Sequence, residues 1–401
     1  MVSSISTESS LMTPDLNRSI AGILPEILRH WRIHLSLSDD LCRYDRLAKK
    51  LQVIFPESYD NVILLIVDGL GVHNLQPGII QENLEENGLI ATSTFPTITA
   101  TAMTSLIYGK HPSQHGIAGN NLYHIKSGKI VNILRMSYVG PDGMMPFLDN
   151  YPLTDLVDGP SLSTVIYDKI GDDFTSFIPS YLKPPGLGDL LHPAVKSVTY
   201  DDYQDLLSQV NLRLNKTSPQ FMMLYTPALD SAGHKSGPFS DEYIDELYKV
   251  EQLIESIQQH QKLSEANTLF VLTSDHGQVD VHPEVAISQQ QLDTYKAQNI
   301  ILTASGRVIH GYALDKNTDD VKSILKQMKD QSAILLTKQE AKQLMGNNSK
   351  LDLLGDYLLV TISEKMISVA DPLTGKTGNN RGHHGSVTKT EIEIPIVFLN
   401  P

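Results

Sequence analysis

The sequence predicts an α/β protein with a central, mostly parallel β-sheet flanked by helices. Through the middle of the chain, short apolar runs alternate with helical patterns, as in a parallel sheet whose strands are joined by helices. One of these runs, NVILLIVDG at residues 61–69, is apolar at nearly every position, which is typical of a strand covered on both faces. The length of 401 residues also allows a sizeable hydrophobic core.

Three further runs have the composition of buried strands. They are PQFMMLYTPALD at residues 219–230, NTLFVLTSDHG at residues 267–277 and EIPIVFLN at residues 393–400. After the first of them, Ser240 is placed to cap a helix. The apolar residues that follow have the spacing of one helical face: Tyr243, Leu247, Val250, Leu253, Ile254 and Ile257.

The chain divides into a core and two other parts. Residues 1–55 are interpreted as a peripheral segment, in which RSIAGILPEILRHW predicts a short amphipathic helix broken by Pro25. Residues 286–370 combine alternating strand patterns (GRVIHGYAL, GDYLLVTIS) with amphipathic helical patterns, so we interpret them as an inserted, smaller α+β lobe. Residues 56–285 and 371–401 then form the main core.

Composition restricts the partners of the chain. The formal charge is −14 and no Lys/Arg cluster reverses it, so neither a long nucleic acid nor an anionic membrane is expected as a partner. The runs VILLIV and IPIVFL are too short to span a bilayer, and the N-terminal residues lack the apolar region of a secretory signal, which predicts a cytoplasmic protein. A single cysteine, Cys42, excludes an internal disulfide and a Cys-rich metal site. The sequence leaves the oligomeric state open.

Polar residues follow the predicted strands at the points where sites form in open α/β sheets. They comprise three carboxylates and three imidazoles, most of them next to a glycine that lets the backbone turn sharply: Asp68, Asp230, His234, Asp275, His276 and His384. This set is large enough to give each of two divalent ions three protein ligands. The pattern therefore predicts a two-metal site.

A threonine-rich stretch supplies a hydroxyl near this site. Thr99 lies just before the helix-like segment TAMTSLIYG, which Gly109 is placed to end. A helix N-terminus favours a phosphate because its backbone N–H groups are free. A threonine hydroxyl needs a base or a metal to become a nucleophile, and a metal held by Asp68, Asp275 and His276 would provide that activation.

These motifs resemble those of the nucleotide pyrophosphatase/phosphodiesterase (type I phosphodiesterase) family of the alkaline phosphatase superfamily. The resemblance covers about residues 60–121, 220–280 and 380–396, where the motifs stand in the family's order and spacing. It implies an alkaline-phosphatase-like fold whose core, residues 56–285 and 371–401, is catalytic.

The resemblance also implies residue roles, and it selects Thr99 rather than the neighbouring threonines. One metal site would consist of Asp68, Thr99, Asp275 and His276, and the other of Asp230, His234 and His384. Asn120 would donate its amide to a phosphate oxygen. The ions implied are divalent, with zinc expected and manganese as the alternative.

The expected reaction is hydrolysis of a phosphodiester or pyrophosphate bond in a small molecule through a phosphothreonine intermediate. Nucleotide-cleaving relatives commonly carry an aromatic residue after the nucleophile, whereas this chain has Ala100. A phosphonate (phosphonoacetate-like) or phosphomonoester hydrolase using the same site is therefore the alternative, and a catalytically inactive metal-binding module is a third reading. Candidates for the missing ring are Tyr123, Phe177 and Tyr181, and Lys126 and Lys183 are candidates for binding an anionic group.

Overall fold

The apolar run at residues 61–67 forms the central strand of the main sheet in the computed structural model. Its alternate side chains enter two separate hydrophobic cores, one on each face of the sheet: Val62, Leu64 and Ile66 on one side, and Ile63, Leu65 and Val67 on the other. Burial on both faces explains why the run is apolar without interruption.

The structure describes residues 11–140, 143–182, 184–193, 195–260, 263, 267–347, 350–372 and 374–399. Its strands are β1 (Asn61–Val67), β2 (Leu89–Thr92), β3 (Asn121–His124), β4 (Lys129–Asn132), β5 (Ser137–Gly140), β6 (Gly143–Pro146), β7 (Phe174–Pro179), β8 (Val198–Tyr200), β9 (Phe221–Thr226), β10 (Thr268–Thr273), β11 (Val279–Asp280), β12 (His282–Ile287), β13 (Ile300–Ser305), β14 (Val308–Ala313), β15 (Ala333–Thr337), β16 (Tyr357–Thr361), β17 (Lys365–Val369), β18 (Gly382–His383) and β19 (Glu393–Phe398).

The α-helices of the described residues are α1 (Ile23–His30), α2 (Asp45–Ile54), α3 (Ile79–Asn87), α4 (Thr99–Tyr108), α5 (Pro112–His115), α6 (Leu162–Ile170), α7 (Leu187–Leu191), α8 (Tyr203–Leu214), α9 (Ala228–Ser236), α10 (Asp241–Gln258), α11 (Gln289–Ala297), α12 (Thr318–Met328), α13 (Lys338–Leu344) and α14 (Lys389–Ile392). In this part of the chain, none of the helices combines the length and the apolar character that crossing a membrane requires.

The main sheet has seven strands in the order β2-β19-β10-β1-β9-β7-β8. Strands β10, β1, β9, β7 and β8 run parallel to their neighbours, whereas β19 is antiparallel to both β10 and β2. The predicted mostly parallel sheet is thus confirmed. The three predicted strands β1, β9 and β10 lie side by side at its centre, and their carboxyl ends meet at one edge.

Two helix predictions have different outcomes. Helix α10 begins after Ser240, whose hydroxyl accepts a hydrogen bond from the backbone N–H of Tyr243, and all six predicted apolar positions are buried. The amphipathic helix of the peripheral segment forms as α1, but the prediction that Pro25 breaks it is wrong. Pro25 lies in the first turn, where a missing N–H removes no intrahelical hydrogen bond.

Two smaller antiparallel sheets accompany the main one. Strands β3 to β6 form a four-stranded meander, which the sequence patterns did not predict. Strands β13, β14, β16 and β15 form a second four-stranded sheet, against which α12 and α13 pack. This second sheet lies within residues 286–370, the segment that we interpret as an inserted lobe, although the domain boundaries remain a prediction.

Candidate active site

The ends of the three central strands place the predicted carboxylates together. Asp68 directly follows β1, and Asp275 follows β10 after one residue. Asp230 lies in α9, which begins just after β9. Because β1 pairs in parallel with both β9 and β10, these side chains reach the same edge of the sheet.

The first cluster surrounds the buried imidazole of His276. Its Nε2 lies 3.2 Å from Asp275 Oδ2 and 3.5 Å from Asp68 Oδ1. The Oγ1 atom of Thr99 lies 3.1 Å from the same nitrogen. The four residues that the sequence assigns to one metal site therefore converge on a single point.

Fixed hydrogen bonds orient the two carboxylates of this cluster. Asp275 Oδ1 accepts hydrogen bonds from the backbone N–H groups of Gly69, at 3.2 Å, and His276, at 3.0 Å, while the Tyr225 hydroxyl donates to Asp68 Oδ2. The other oxygen of each carboxylate is buried and accepts no hydrogen bond from the described residues. These two oxygens have the chemistry and placement of cation ligands.

Electrostatics support the same conclusion. Burial, followed by the nearby charges of Asp275 and Asp230, raises the pKa of Asp68 well above its usual range. Three carboxylates so close together repel one another in their charged forms, and a divalent cation would relieve that repulsion.

The second cluster comprises Asp230, His234 and His384. His234 Nε2 lies 3.3 Å from Asp230 Oδ2 and 3.2 Å from His384 Nε2, and His384 Nε2 lies 3.7 Å from Asp230 Oδ1. Asp230 and His234 are four residues apart in α9, so both reach the site from one face of that helix.

Carbonyl groups favour one tautomer of each histidine. His234 Nδ1 lies 2.8 Å from the carbonyl oxygen of Gly382 and 3.1 Å from the side-chain nitrogen of Asn380, and His384 Nδ1 lies 2.7 Å from the carbonyl oxygen of Thr97. A carbonyl only accepts, so His384 Nδ1 carries the proton and its Nε2 presents a lone pair to the site. The shorter contact of His234, with the Gly382 carbonyl, favours the same tautomer for that ring. Burial, followed by the neighbouring His276 and His234, lowers the pKa of His384 well below its usual range and keeps this ring neutral, as a metal ligand must be.

The two clusters are contiguous. The rings of His276 and His384 stack with centroids 3.6 Å apart and an interplanar angle of 16°. Asp230, His276 and His384 also offer ligand atoms within 4.8 Å of one another, as do Asp68, Asp275 and His276. Two cations held here would therefore be neighbours.

His383 lies beside this site with a different orientation from His384. Its ligand atoms fall within 4.8 Å of those of His234 and His384. However, the backbone N–H of His384 donates to His383 Nδ1 at 2.9 Å, so the neutral His383 ring carries its proton on Nε2. The Nδ1 of His383 is thus already occupied by a backbone N–H, which makes His383 a weaker candidate for a ligand than His384.

Thr99 is the first residue of α4, a fully buried helix that ends at Gly109 in the left-handed conformation. The first hydrogen bond of this helix runs from the N–H of Ala102 to the carbonyl of Ile98. The preceding N–H groups, including that of Thr99, are the free donors of a helix N-terminus. The hydroxyl and these donors suit a phosphoryl group that approaches from the metal side.

Asn120 and Thr99 line different cavities. Asn120 lines a cavity of about 180 Å³ together with His383 and Asn380, next to the second cluster, whereas Thr99 lines a different and larger cavity. Its side-chain oxygen is buried and accepts no hydrogen bond from the described residues. The sequence-predicted asparagine is therefore close to the histidine side of the site.

The larger cavity, of about 380 Å³, is lined in part by the predicted metal and nucleophile residues Asp68, Thr99 and Asp230. The rest of its wall is mainly apolar: Met103, Leu134, Ile178, Leu182, Leu187 and Leu191. Tyr181 and Arg135 also line it, and in the described part of the chain Arg135 has no carboxylate within ion-pair distance. An organic group carrying an anionic substituent fits these walls.

The structure places the candidates for an aromatic ring and for an anion-binding lysine in different surroundings. Tyr181 lines the large cavity, whereas Phe177 is fully buried in the core and Tyr123 packs against Tyr312 with ring centroids 5.6 Å apart. Lys126 forms an ion pair with Asp155. Lys183 lies outside the described residues.

Sequence reasoning missed several residues that hold the site in place. Tyr225 donates to Asp68, Gln278 donates to Asp230, and the Thr97 carbonyl fixes His384. Tyr225 is one residue of a strand, and Gln278 directly follows the DHG motif. No sequence pattern distinguishes either of them from residues without a role at the site. Arg135 stands in a segment without a recognisable motif.

The sheet topology and the residue set at its edge define a fold and a candidate site. The mostly parallel sheet, with aspartates and histidines clustered at the carboxyl ends of its strands, has the fold of solved phosphodiesterase and phosphonoacetate hydrolase structures. The chain belongs to the type I phosphodiesterase / nucleotide pyrophosphatase family, whose sequence profile matches residues 62–386. The resemblance noted from the motifs is thereby confirmed.

Similar proteins of known sequence include ectonucleotide pyrophosphatase/phosphodiesterase family member 3 of Bos taurus, which is 26% identical over 238 residues, 55% of this chain and 25% of that protein. Family member 7 of Rattus norvegicus is 25% identical over 207 residues, 49% of this chain and 43% of that protein. The chain thus spans 25% of the length of the first relative and 43% of the length of the second.

Solved structures show the same fold at low sequence identity. A murine ectonucleotide pyrophosphatase/phosphodiesterase 5 in complex with AMP superimposes with a TM-score of 0.63 and 16% identity, covering 84% of this chain and 87% of that one. Phosphonoacetate hydrolase from Sinorhizobium meliloti in complex with phosphonoacetate has a TM-score of 0.60 and 17% identity, covering 86% and 91%. Both neighbours bind small phosphorus-containing ligands.

Proposed function

We propose that this chain is a metal-dependent hydrolase of phosphodiester or pyrophosphate bonds in small molecules, acting through a phosphothreonine at Thr99. The observation that supports it most strongly is the convergence of Thr99 with Asp68, Asp275 and His276, since Thr99 and Asp68 also line a large cavity. Membership of the phosphodiesterase family supports the reaction class.

The residues present fit two divalent cations. Asp68, Thr99, Asp275 and His276 would hold one, and Asp230, His234 and His384 the other. The buried oxygens of Asp68 and Asp275 that accept no hydrogen bond from the described residues, and the Nε2 atoms of His234 and His384, are the donors that such ions require. The mixture of imidazole and carboxylate ligands suits zinc, with manganese as the alternative.

Bound cations would supply Lewis-acid polarisation of the phosphoryl oxygens and would lower the pKa of the Thr99 hydroxyl and of a water molecule. Thr99 Oγ1 then attacks phosphorus in line, forming a new P–O bond as the bond to the leaving oxygen breaks. Water later cleaves the phosphothreonine at phosphorus. The free N–H groups at the start of α4 and the amide of Asn120 stabilise charge on the phosphoryl oxygens.

The large cavity favours a diester or pyrophosphate over a phosphomonoester. Its apolar wall, with Tyr181 and Arg135, begins next to Thr99 and offers room for a second substituent on phosphorus. A small monoester would leave that wall in contact with water. The second organic group would therefore increase binding of the substrate through buried apolar area.

A phosphonate hydrolase is the second candidate. Ala100 supplies no ring beside the nucleophile, and the phosphonoacetate hydrolase fold covers most of this chain. The same nucleophile and ions would serve a phosphonate, with the carbon group as the leaving group.

The decisive experiment compares three substrates on chelated enzyme to which zinc or manganese is added back. We expect bis-p-nitrophenyl phosphate to have a kcat/KM at least about tenfold above that of p-nitrophenyl phosphate, and phosphonoacetate to be cleaved slowly. Faster cleavage of the monoester or of phosphonoacetate would replace the first proposal by the second. An absence of metal-dependent turnover on all three would favour an inactive metal-binding module.

A further inference from the structure

The turn between β13 and β14 joins the antiparallel lobe sheet to the active site. Its first residue, Ser305, is fully buried, and its Oγ accepts hydrogen bonds from the backbone N–H groups of Asn120, at 2.9 Å, and Asn121, at 3.2 Å. The side-chain amide of Asn121 also donates to the carbonyl of Ala304 at 3.0 Å. Three hydrogen bonds therefore tether residues 120 and 121, which we call the asparagine loop, to this hairpin.

The packing at this contact leaves little room for movement. Gly119 has a φ of +155°, and a Cβ at that position would overlap the side chain of Ser305. The Ser305 hydroxyl thus occupies the space that an ordinary side chain at position 119 would fill. The backbones at Gly119 and Ser305 approach closely because Gly119 has no side chain and the Ser305 hydroxyl fills the space that is left.

The same turn also contacts the loop that carries His384. The backbone N–H of Arg307 donates to the carbonyl of His384 at 3.0 Å, and a Cβ at Gly306 would overlap that carbonyl. The guanidinium of Arg307 is buried and pairs with Glu391 at 2.6 Å. The hairpin turn is therefore held rigidly against the core while Ser305 reaches the asparagine loop.

We propose that Ser305 is a positioning residue that sets the place of the Asn120 amide at the phosphoryl group. This inference rests on the proposed function. The Asn120 side-chain oxygen accepts no hydrogen bond from the described residues, so the backbone of Asn120 determines where the amide lies. Ser305 holds the N–H of that backbone, and the N–H of Ile133 donates to its carbonyl at 2.7 Å. Displacement of a catalytic group by about 1 Å can reduce a rate about a hundredfold.

The test uses Ser305→Ala in the full-length, metal-loaded chain. We expect kcat on bis-p-nitrophenyl phosphate to fall about tenfold to a hundredfold, with KM within about twofold of the wild type and with unchanged metal content by elemental analysis. Ser332→Ala removes another buried hydroxyl of the same lobe, one that bonds only to Asp330 among the described residues, and should keep wild-type kcat.

A double-mutant cycle separates positioning from general stability. If Ser305 acts through Asn120, then Ser305→Ala should change kcat less than about twofold in an Asn120→Ala background. Losses that multiply would overturn the inference, as would wild-type kcat in Ser305→Ala. Wild-type activity of Asn120→Ala alone would instead remove the role assigned to Asn120 and the inference with it.

A second variant covers the case in which Ser305→Ala does not fold. Asn121→Ala removes the side-chain tether to Ala304 together with the hydrogen bond that Asn121 Oδ1 accepts from the amide of Asn132 at 2.8 Å, and it keeps the buried hydroxyl of Ser305. We expect a fall in kcat of a few fold that is likewise absent in the Asn120→Ala background, and a fall that persists there would overturn the inference.

Discussion

Thr99 differs from the neighbouring threonines in what its hydroxyl contacts. Thr97 accepts a hydrogen bond from the N–H of Gly385 at 2.9 Å and donates to Ser386, so it ties the His384 loop to the core. The hydroxyl of Thr104 donates to the carbonyl of Ala100 at 2.6 Å, and that of Thr101 is buried without a partner among the described residues. Only the hydroxyl of Thr99, of these four, faces the aspartate and histidine cluster.

This difference gives the first prediction. Thr99→Ala should reduce turnover of bis-p-nitrophenyl phosphate by about 10³-fold or more while metal content stays unchanged, because the nucleophile is lost and the other ligands remain. Thr101→Val is the matched control, since it removes a hydroxyl with no partner and keeps the shape, and it should retain wild-type turnover. Comparable turnover in Thr99→Ala and Thr101→Val would refute the assignment of the nucleophile.

The second prediction separates the adjacent histidines. His384→Ala should lower bound metal from about two equivalents per chain to about one, because it removes an Nε2 ligand from the second cluster. His383→Ala should retain both equivalents, because the Nδ1 of His383 accepts a backbone N–H and its Nε2 carries the proton. Elemental analysis after dialysis measures the difference, and equal metal loss in both variants would contradict it.

At the scale of elements, α9 contributes Asp230 and His234, two of the three residues of the second cluster. The motif ALDSAGHKSGP has the glycines and proline of a turn, yet residues 228–236 are helical, with Gly233 facing Gln278. The amide of Gln278 donates to the backbone carbonyl of Asp230 at 3.0 Å and to its carboxylate. A glycine in mid-helix lowers helix propensity, but here it makes room for the side chain that orients a ligand.

The third prediction follows from this packing. Gly233→Ala should reduce metal affinity by about tenfold despite the higher helix propensity of alanine, because the new Cβ would displace the Gln278 amide from Asp230. Isothermal titration of the chelated protein with zinc measures the affinity. An affinity equal to or above that of the wild type would show that Gln278 does not orient Asp230.

The sequence predicted the strands that are buried on both faces and missed the short, partly exposed ones. Strands β1, β9 and β10 are buried on both faces, so their apolar runs are unmistakable, and the polar residues at their ends indicated the candidate site. The β3–β6 meander was missed because its short strands are interrupted by turn residues and partly exposed. The contact between Ser305 and the asparagine loop joins residues about 185 positions apart, and no local pattern encodes it.

At the scale of the whole molecule, burial of histidines makes stability depend on pH. Burial lowers the pKa of His310 to about 3 and those of His111 and His192 to about 4, from a usual value of 6.5. Below pH 6.5 the unfolded chain takes up protons that the folded chain still excludes. The folded state therefore loses stability as the pH falls from about 6.5 toward 4.

The fourth prediction isolates His310, whose ring nitrogens are buried without hydrogen bonds from the described residues. Between pH 6 and 5, the free energy of unfolding should fall less steeply in His310→Gln than in the wild type, by at most about 1.4 kcal/mol per pH unit. Urea denaturation at several pH values measures both slopes. Parallel slopes would show that His310 does not stay neutral in the folded chain.

The cytoplasmic location predicted from the sequence remains a prediction at this scale, as do the domain boundaries and the identity of the metal. Cell fractionation would test the first of these. Limited proteolysis around residues 286 and 370 would test whether the lobe is a separable insertion.

The donors of the two proposed cation clusters are contributed by segments that run from Asp68 almost to the end of the described chain, with His384 between β18 and β19. During synthesis, His384 would leave the ribosome only after strands β1 to β18 have emerged. A nascent polypeptide stalled before that residue would lack one of the three donors proposed for its second cation. Occupancy of that second site would therefore have to follow the emergence of His384, whereas the donors of the first site would all be available earlier.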